Sequence, residues 1–187
     1  MGNAIMRVWG FAGIALVAPL MAATSAGATV LVPVDLGTLA REARAIVRGR
    51  VVAVTPRPTE DRRGIETLVT VEVEASLKGA LGQTVTFHVP GGRLGRYRSL
   101  VIGAPEFSPD EQVVVFLGYQ GPSLPHVLGL SQGVYRVALA GGQWVVTPPA
   151  IVDAGQPQRL VRGDPGRRPW TLGVFEREVR ALVDGSR

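Results

Sequence analysis

Two histidines, His88 and His126, are the only imidazoles available for acid–base work, and the chain has no cysteine. Nucleophilic catalysis needs a nucleophile, a base and a group that orients the base. Ser131 and Asp110 could supply the missing members, but no serine sits in a G-x-S-x-G turn. A zinc site needs three or four ligands. His88, His126 and a carboxylate such as Glu72 or Glu74 supply the right atoms, yet no H-x-x-x-H spacing brings them together. Thiolate metal sites and cysteine nucleophiles are excluded by composition. The expectation is therefore no catalytic residue, no metal and no cofactor.

The segment Pro90-Gly91-Gly92-Arg93-Leu94-Gly95 is rich in glycine but lacks the Lys-Ser/Thr of a phosphate-binding loop and opens no helix. Arg93, Arg96 and Arg98 follow within six residues, with Tyr97 among them. Guanidinium forks suit phosphate, sulfate or carboxylate. They lie in a long connection, Gly91 to Phe107, and long loops on a rigid scaffold often carry function. Arg93, Arg96, Tyr97 and Arg98 are the candidate ligand-binding residues: the arginines for an anionic group, Tyr97 for a flat apolar contact. Single-stranded nucleic acid would want several stacking aromatics on a sheet, so no nucleic acid is expected. An anionic surface polymer or an acidic protein patch is the expected partner. The alternative is a solvated basic loop in an arginine-rich chain, with nineteen arginines to one lysine and a net charge of +5.

Such residues need a scaffold, and the chain divides into segments that could provide one. Met1 to Arg7 is short and basic, Val8 to Ala23 is apolar, and Ala26-Gly27-Ala28 is a small-residue ending. That is the pattern of a secretory signal peptide, with Thr29 as the mature N-terminus. The apolar run is short of the ~20 residues a spanning helix needs, and Pro19 interrupts it. The expected domains are 1–28 signal peptide, 29–147 barrel, 148–169 a linker rich in Pro, Gly and Arg, and 170–187 a helix. The expected location is periplasmic or extracellular, with no membrane span after cleavage. The mature part is long enough for one core without disulfide staples.

Asp35 caps a short helix whose apolar residues are Leu36, Leu39, Ala40 and Ala43. Ala45 to Val54 reads as a strand with a bulge or close approach at Gly49. From Thr67 to Val73 the alternation is strict: Thr67, Val69, Val71 and Val73 on one face, Leu68, Thr70, Glu72 and Glu74 on the other. Thr84–Val89 is another strand. Val113 to Leu117 is apolar throughout, as in a strand covered on both faces. His126–Leu130, Gly133–Leu139 and Trp144–Thr147 are three more, the last two joined at Gly141-Gly142. Thr171 opens a final helix in which Glu176 and Arg180 stand at i,i+4. The spacing predicts a mainly β chain: one small antiparallel barrel, closed or partly open, with a short N-terminal helix and a C-terminal helix.

Five motifs, taken in order, resemble a family of exported bacterial proteins. They are Ile46-Val47-Arg48-Gly49-Arg50-Val51, the Thr67–Val73 strand running into Leu77-Lys78-Gly79, Val89-Pro90-Gly91-Gly92, Gly103-Ala104-Pro105-Glu106-Phe107, and Val113–Leu117. The resemblance covers roughly residues 35–140 and implies no activity. The layout is also similar to the oligonucleotide/oligosaccharide-binding (OB) barrel in its netrin-like form, shared with inhibitors of metalloproteinases. Those insert an N-terminal cysteine into the protease zinc site, which Thr29 cannot do. Three functions follow as expectations: an exported non-catalytic binding module, a hydrolase around His88 and His126, or a protease-inhibitor-like protein by likeness of fold.

Overall fold

In the computed structural model, residues 33–120, 124–149, 151–152, 160–161 and 169–185 are described. The signal-peptide segment and most of 148–169 therefore lie outside the described residues. The elements in order are α1 (Leu36–Glu42), β1 (Ala45–Pro58), β2 (Ile65–Lys78), β3 (Thr84–Pro90), β4 (Gly92–Leu94), β5 (Tyr97–Ser99), β6 (Gln112–Gly118) and β7 (His126–Val127). A 3-10 turn (Leu130–Gly133) then leads to β8 (Val134–Ala140), β9 (Gln143–Thr147), β10 (Ile151–Val152), β11 (Leu160–Val161), β12 (Trp170–Thr171) and α2 (Leu172–Asp184).

One eight-stranded sheet runs β1-β2-β3-β7-β6-β8-β9-β12, and β1 also pairs with β6. Strands β1, β2, β3, β7 and β6 thus form a ring, the strand count of an OB-type barrel. The ring is mainly β and antiparallel as expected, but it is only lightly closed. Strand β3 meets β7 through one parallel pair, His88 with His126. Closure runs through this short β7, whereas β8 pairs with β6 outside the ring. The expected strand at His126–Leu130 shrinks to two residues, because the chain turns at Leu128-Gly129 into the 3-10 turn.

The β6 run explains the two cores. Val113, Val115 and Leu117 point into the ring with Val47, Val51, Val69, Val71 and Phe87. Val114 and Phe116 point outward, onto Leu39 of α1, Tyr135 of β8, and Phe175 and Val179 of α2. A strand buried on both faces has no polar positions to alternate. Gly49 is where β1 bends: a Cβ there would lie 2.0 Å from the Glu72 carbonyl oxygen, and the β1–β2 register shifts at that point. A side chain cannot be fitted at that separation, which is why the bulge carries glycine.

The helices dock through local chemistry. Asp35 Oδ1 accepts the Thr38 backbone N–H at 2.8 Å and caps α1. Lys78, the chain's single lysine, donates to the carbonyls of Ala40 (2.7 Å) and Arg41 (2.9 Å) at the other end of α1. A cation there also meets the negative end of the helix dipole. Glu176 does not pair with Arg180; its carboxylate accepts from Arg48 of β1 at 2.7 Å instead. The tertiary partner wins because Arg48 is brought over α2 by a strand, while an i,i+4 pair on an exposed helix face adds only ~0.3 kcal/mol. Among the described residues no helix is long and apolar enough to cross a membrane.

Candidate functional site: the barrel mouth

The stretch from Gly91 to Phe107, expected as an irregular loop, contains a hairpin of its own. Strands β4 and β5 pair as Gly92 with Ser99, Arg93 with Arg98 and Leu94 with Tyr97. Gly95 and Arg96 form the two-residue loop, with Gly95 at φ +58°. Glycine first in such a loop is the chemistry of a II′ turn. At the hairpin's base, Gly91 and Gly92 have φ +88° and +136°. A Cβ on Gly92 would stand 2.3 Å from Thr67 Oγ1, so glycine there lets the hairpin fold back over β2. Thr67 Oγ1 in turn donates to the Gly91 carbonyl at 2.8 Å.

The folded-back hairpin walls a cleft of about 520 Å³ at one end of the ring. Val54, Thr67 and Val89 of β1, β2 and β3 line it, together with Leu100, Val101 and Phe107 from the segment that follows the hairpin. Phe107 is held edge-on against Phe87 of the ring core, with centroids 5.5 Å apart. The Arg136 guanidinium lies over the Phe107 ring, 5.2 Å from its centroid, and bonds to Glu111 and the Glu106 carbonyl. The mouth is thus built on packed side chains. Leu100 and Ile102 beside it are 73% and 68% exposed, a large apolar fraction for a loop.

The hairpin register divides the four candidate residues. Arg93 and Arg98 are directly opposed across the strands and both line the cleft. Alternation puts Leu94 and Tyr97 on the other face. Arg96 is not in the cleft wall; its Nη2 donates to Tyr97 Oη at 2.7 Å and its guanidinium sits 5.0 Å over the Tyr97 ring. This cation–π pair occupies the flat face expected to meet a ligand. Arg98 has one acidic neighbour, Glu106, at 3.6 Å, with both side chains well exposed. The Arg93 side chain has no ion-pair or hydrogen-bond partner among the described residues. Like charges directly opposed on a two-stranded ribbon are unfavourable. An anion between them would reverse that sign. Sequence reasoning placed all four residues together and missed Glu106, Leu100, Val101 and Phe107, which complete the cleft.

His88 and His126 form a second constellation. Their rings lie with centroids 6.2 Å apart, edge to face, across the closing pair of the ring. His88 Nδ1 is 3.3 Å from Glu66 Oε2, and Arg57 holds the other Glu66 oxygen at 2.7 Å. The carboxylate near the histidines is therefore Glu66. Glu72 pairs with Arg50 at 2.6 Å, and Glu74 with Arg48, on the outer face of β1 and β2. Burial first, and then the nearby His88, push the His126 pKa below the ordinary imidazole value. Asp110 is taken up by Arg50 at 3.0 Å. Among the described residues no hydroxyl bonds to either imidazole, and no three His, Asp or Glu side chains are placed to hold a metal ion. No protein-family model matches the chain, and neither a curated protein nor a solved structure matches it.

Proposed function

We propose that this protein is an exported, non-catalytic binding module that takes an anionic group between Arg93 and Arg98 at the barrel mouth. One observation carries the reading: two arginines are opposed across a short hairpin, facing a preformed cleft, with one exposed carboxylate, Glu106, beside Arg98. A pair of guanidinium forks in that arrangement suits sulfate, phosphate or carboxylate. Export rests on the N-terminal sequence, and N-terminal sequencing of the secreted protein should begin at Thr29. Kinship with the exported bacterial family rests on the five motifs.

The binding test uses dextran sulfate, a soluble sulfated polymer. The double substitution Arg93→Ala/Arg98→Ala should weaken binding tenfold or more, while Arg96→Ala should change it less than threefold. Wild-type affinity should fall as salt rises, because exposed charge interactions are screened. Equal binding by wild type and the double variant would remove the anion site. A hydrolase at His88 and His126 is the second reading, favoured by their proximity to each other and to Glu66. Ester hydrolysis that disappears in both His88→Ala and His126→Ala would establish it instead.

A further inference from the structure

We infer that the ligand of this mouth is an amphiphile: an anionic headgroup carried on a hydrocarbon chain, the headgroup between Arg93 and Arg98 and the chain in the cleft. The inference rests on the anion site proposed above and adds the nature of what the anion is attached to.

The cleft is not the surface a free inorganic anion needs. It opens onto the ring core: Val89 belongs to the cluster that contains Val69, Val71 and Phe87, and Val54 packs against it. Phe107 and Ala104 also line the cleft and pack against the same cluster. A ligand entering here continues the barrel's hydrocarbon interior outward. Its volume, about 520 Å³, falls within the ~300–1,000 Å³ of small-molecule clefts, and barrel mouths are common places for them.

Charge and apolar surface are arranged in sequence along the wall. Arg93 and Arg98 stand on the hairpin, and Ser99, Leu100 and Val101, which follow Arg98 in the chain, line the same cleft. Leu100 is 73% exposed and Val101 37%. Contiguous exposed apolar side chains next to a cationic pair have a cost in water that a covering ligand relieves. A fully polar anion would leave them bare, and a neutral hydrocarbon would leave the arginine pair uncompensated. An amphiphile satisfies both. The one acidic group at the rim, Glu106, is 87% exposed, so it can swing to solvent when a headgroup takes its place.

The test is a calorimetric series with ethyl, hexyl and decyl sulfate, each below its micelle concentration, with decanol and inorganic sulfate as separate probes. Affinity should rise roughly two- to fourfold per added methylene while the chain stays in the cleft, as expected from ~0.8 kcal/mol per buried methylene. Decyl sulfate should bind at least tenfold more tightly than either decanol or inorganic sulfate. Arg93→Ala/Arg98→Ala should reduce the decyl sulfate affinity to that of decanol. Leu100→Ser/Val101→Ser should flatten the chain-length dependence, lowering decyl sulfate affinity several-fold more than ethyl sulfate affinity, and both positions are exposed enough for the variant to fold. If ethyl and decyl sulfate bind equally, the amphiphile is excluded and the anion site stands. If decyl sulfate binds the double arginine variant as tightly as wild type, the anion site itself fails. If no probe binds, both fail together.

Discussion

At the scale of single residues, register decides which arginines matter. Arg93, Arg96 and Arg98 look equivalent in sequence, and only the pairing across the Gly95-Arg96 turn separates two that face the cleft from one that covers Tyr97. That turn was readable: glycine followed by one residue, between Leu94 and Tyr97, is a short hairpin signal. The length of the surrounding loop masked it. The histidine pair was less legible, since two residues far apart in the chain meet through one parallel bridge, and Glu66 reaches His88 from a diagonal position on β2. The Arg98–Glu106 contact yields a direct prediction. Glu106→Gln removes a competitor for the Arg98 guanidinium, and an exposed pair of this kind is worth ~0.2–1 kcal/mol. Dextran sulfate affinity should therefore rise by roughly 1.4- to fivefold, a range that follows from the same energies. The melting temperature should stay within error. Unchanged or weaker binding would mean that Arg98 does not contact the anion.

At the scale of elements, side-chain period carried most of the information. The alternation from Thr67 to Val73 places Val69 and Val71 in the ring, and Thr70 bonds to Thr86 on the outside at 2.9 Å. The unbroken apolar run of β6 correctly signals two covered faces. What period cannot encode is the partner: β6 touches β1 on one edge, and both β8 and β7 on the other. The core assignment is testable by burying a charge. Val71 and Val115 are fully buried in the ring, with apolar neighbours. Val71→Asp and Val115→Asp should each lower stability by about 3 kcal/mol or more, since an unpaired buried carboxylate has no compensating contact. Losses under about 1 kcal/mol at both positions in urea titrations would show that the ring interior is wrongly placed. Gly49→Ala belongs to the same scale. The new methyl meets backbone, the Glu72 carbonyl, rather than a movable side chain. A loss of roughly 2 kcal/mol is expected from the forced strand shift. A neutral outcome would show that the β1 bulge can open without penalty.

At the scale of the molecule, the weak point is ring closure. Strands β1 and β2 share a long ladder, whereas β3 and β7 are joined by the His88–His126 pair and the adjoining bond from the His88 N–H to the Pro125 carbonyl, 3.0 Å. Both imidazoles are partly exposed. The charged groups that face them are Glu66 on β2, which sits on His88, and Arg57 on β1, which sits on Glu66. No carboxylate contacts His126 among the described residues. Its pKa is lowered from 6.5 in the fold, chiefly by burial and further by His88. The unfolded chain then binds a proton at a higher pH than the folded one does. Stability is full above the unfolded value, falls as pH drops from about 6.5 toward the lower folded value, and levels off below it. Acid should therefore loosen this closure before it unfolds the rest, because a charged His126 would be partly buried at the one bridge. Urea midpoints measured from neutral to mildly acidic pH should decline in the wild type, and the decline should be shallower in His126→Gln, which cannot charge. Amide exchange at His88 should accelerate over the same pH window relative to amides of the β1–β2 ladder. If wild type and His126→Gln trace parallel stability curves, the closing pair has no part in the acid response.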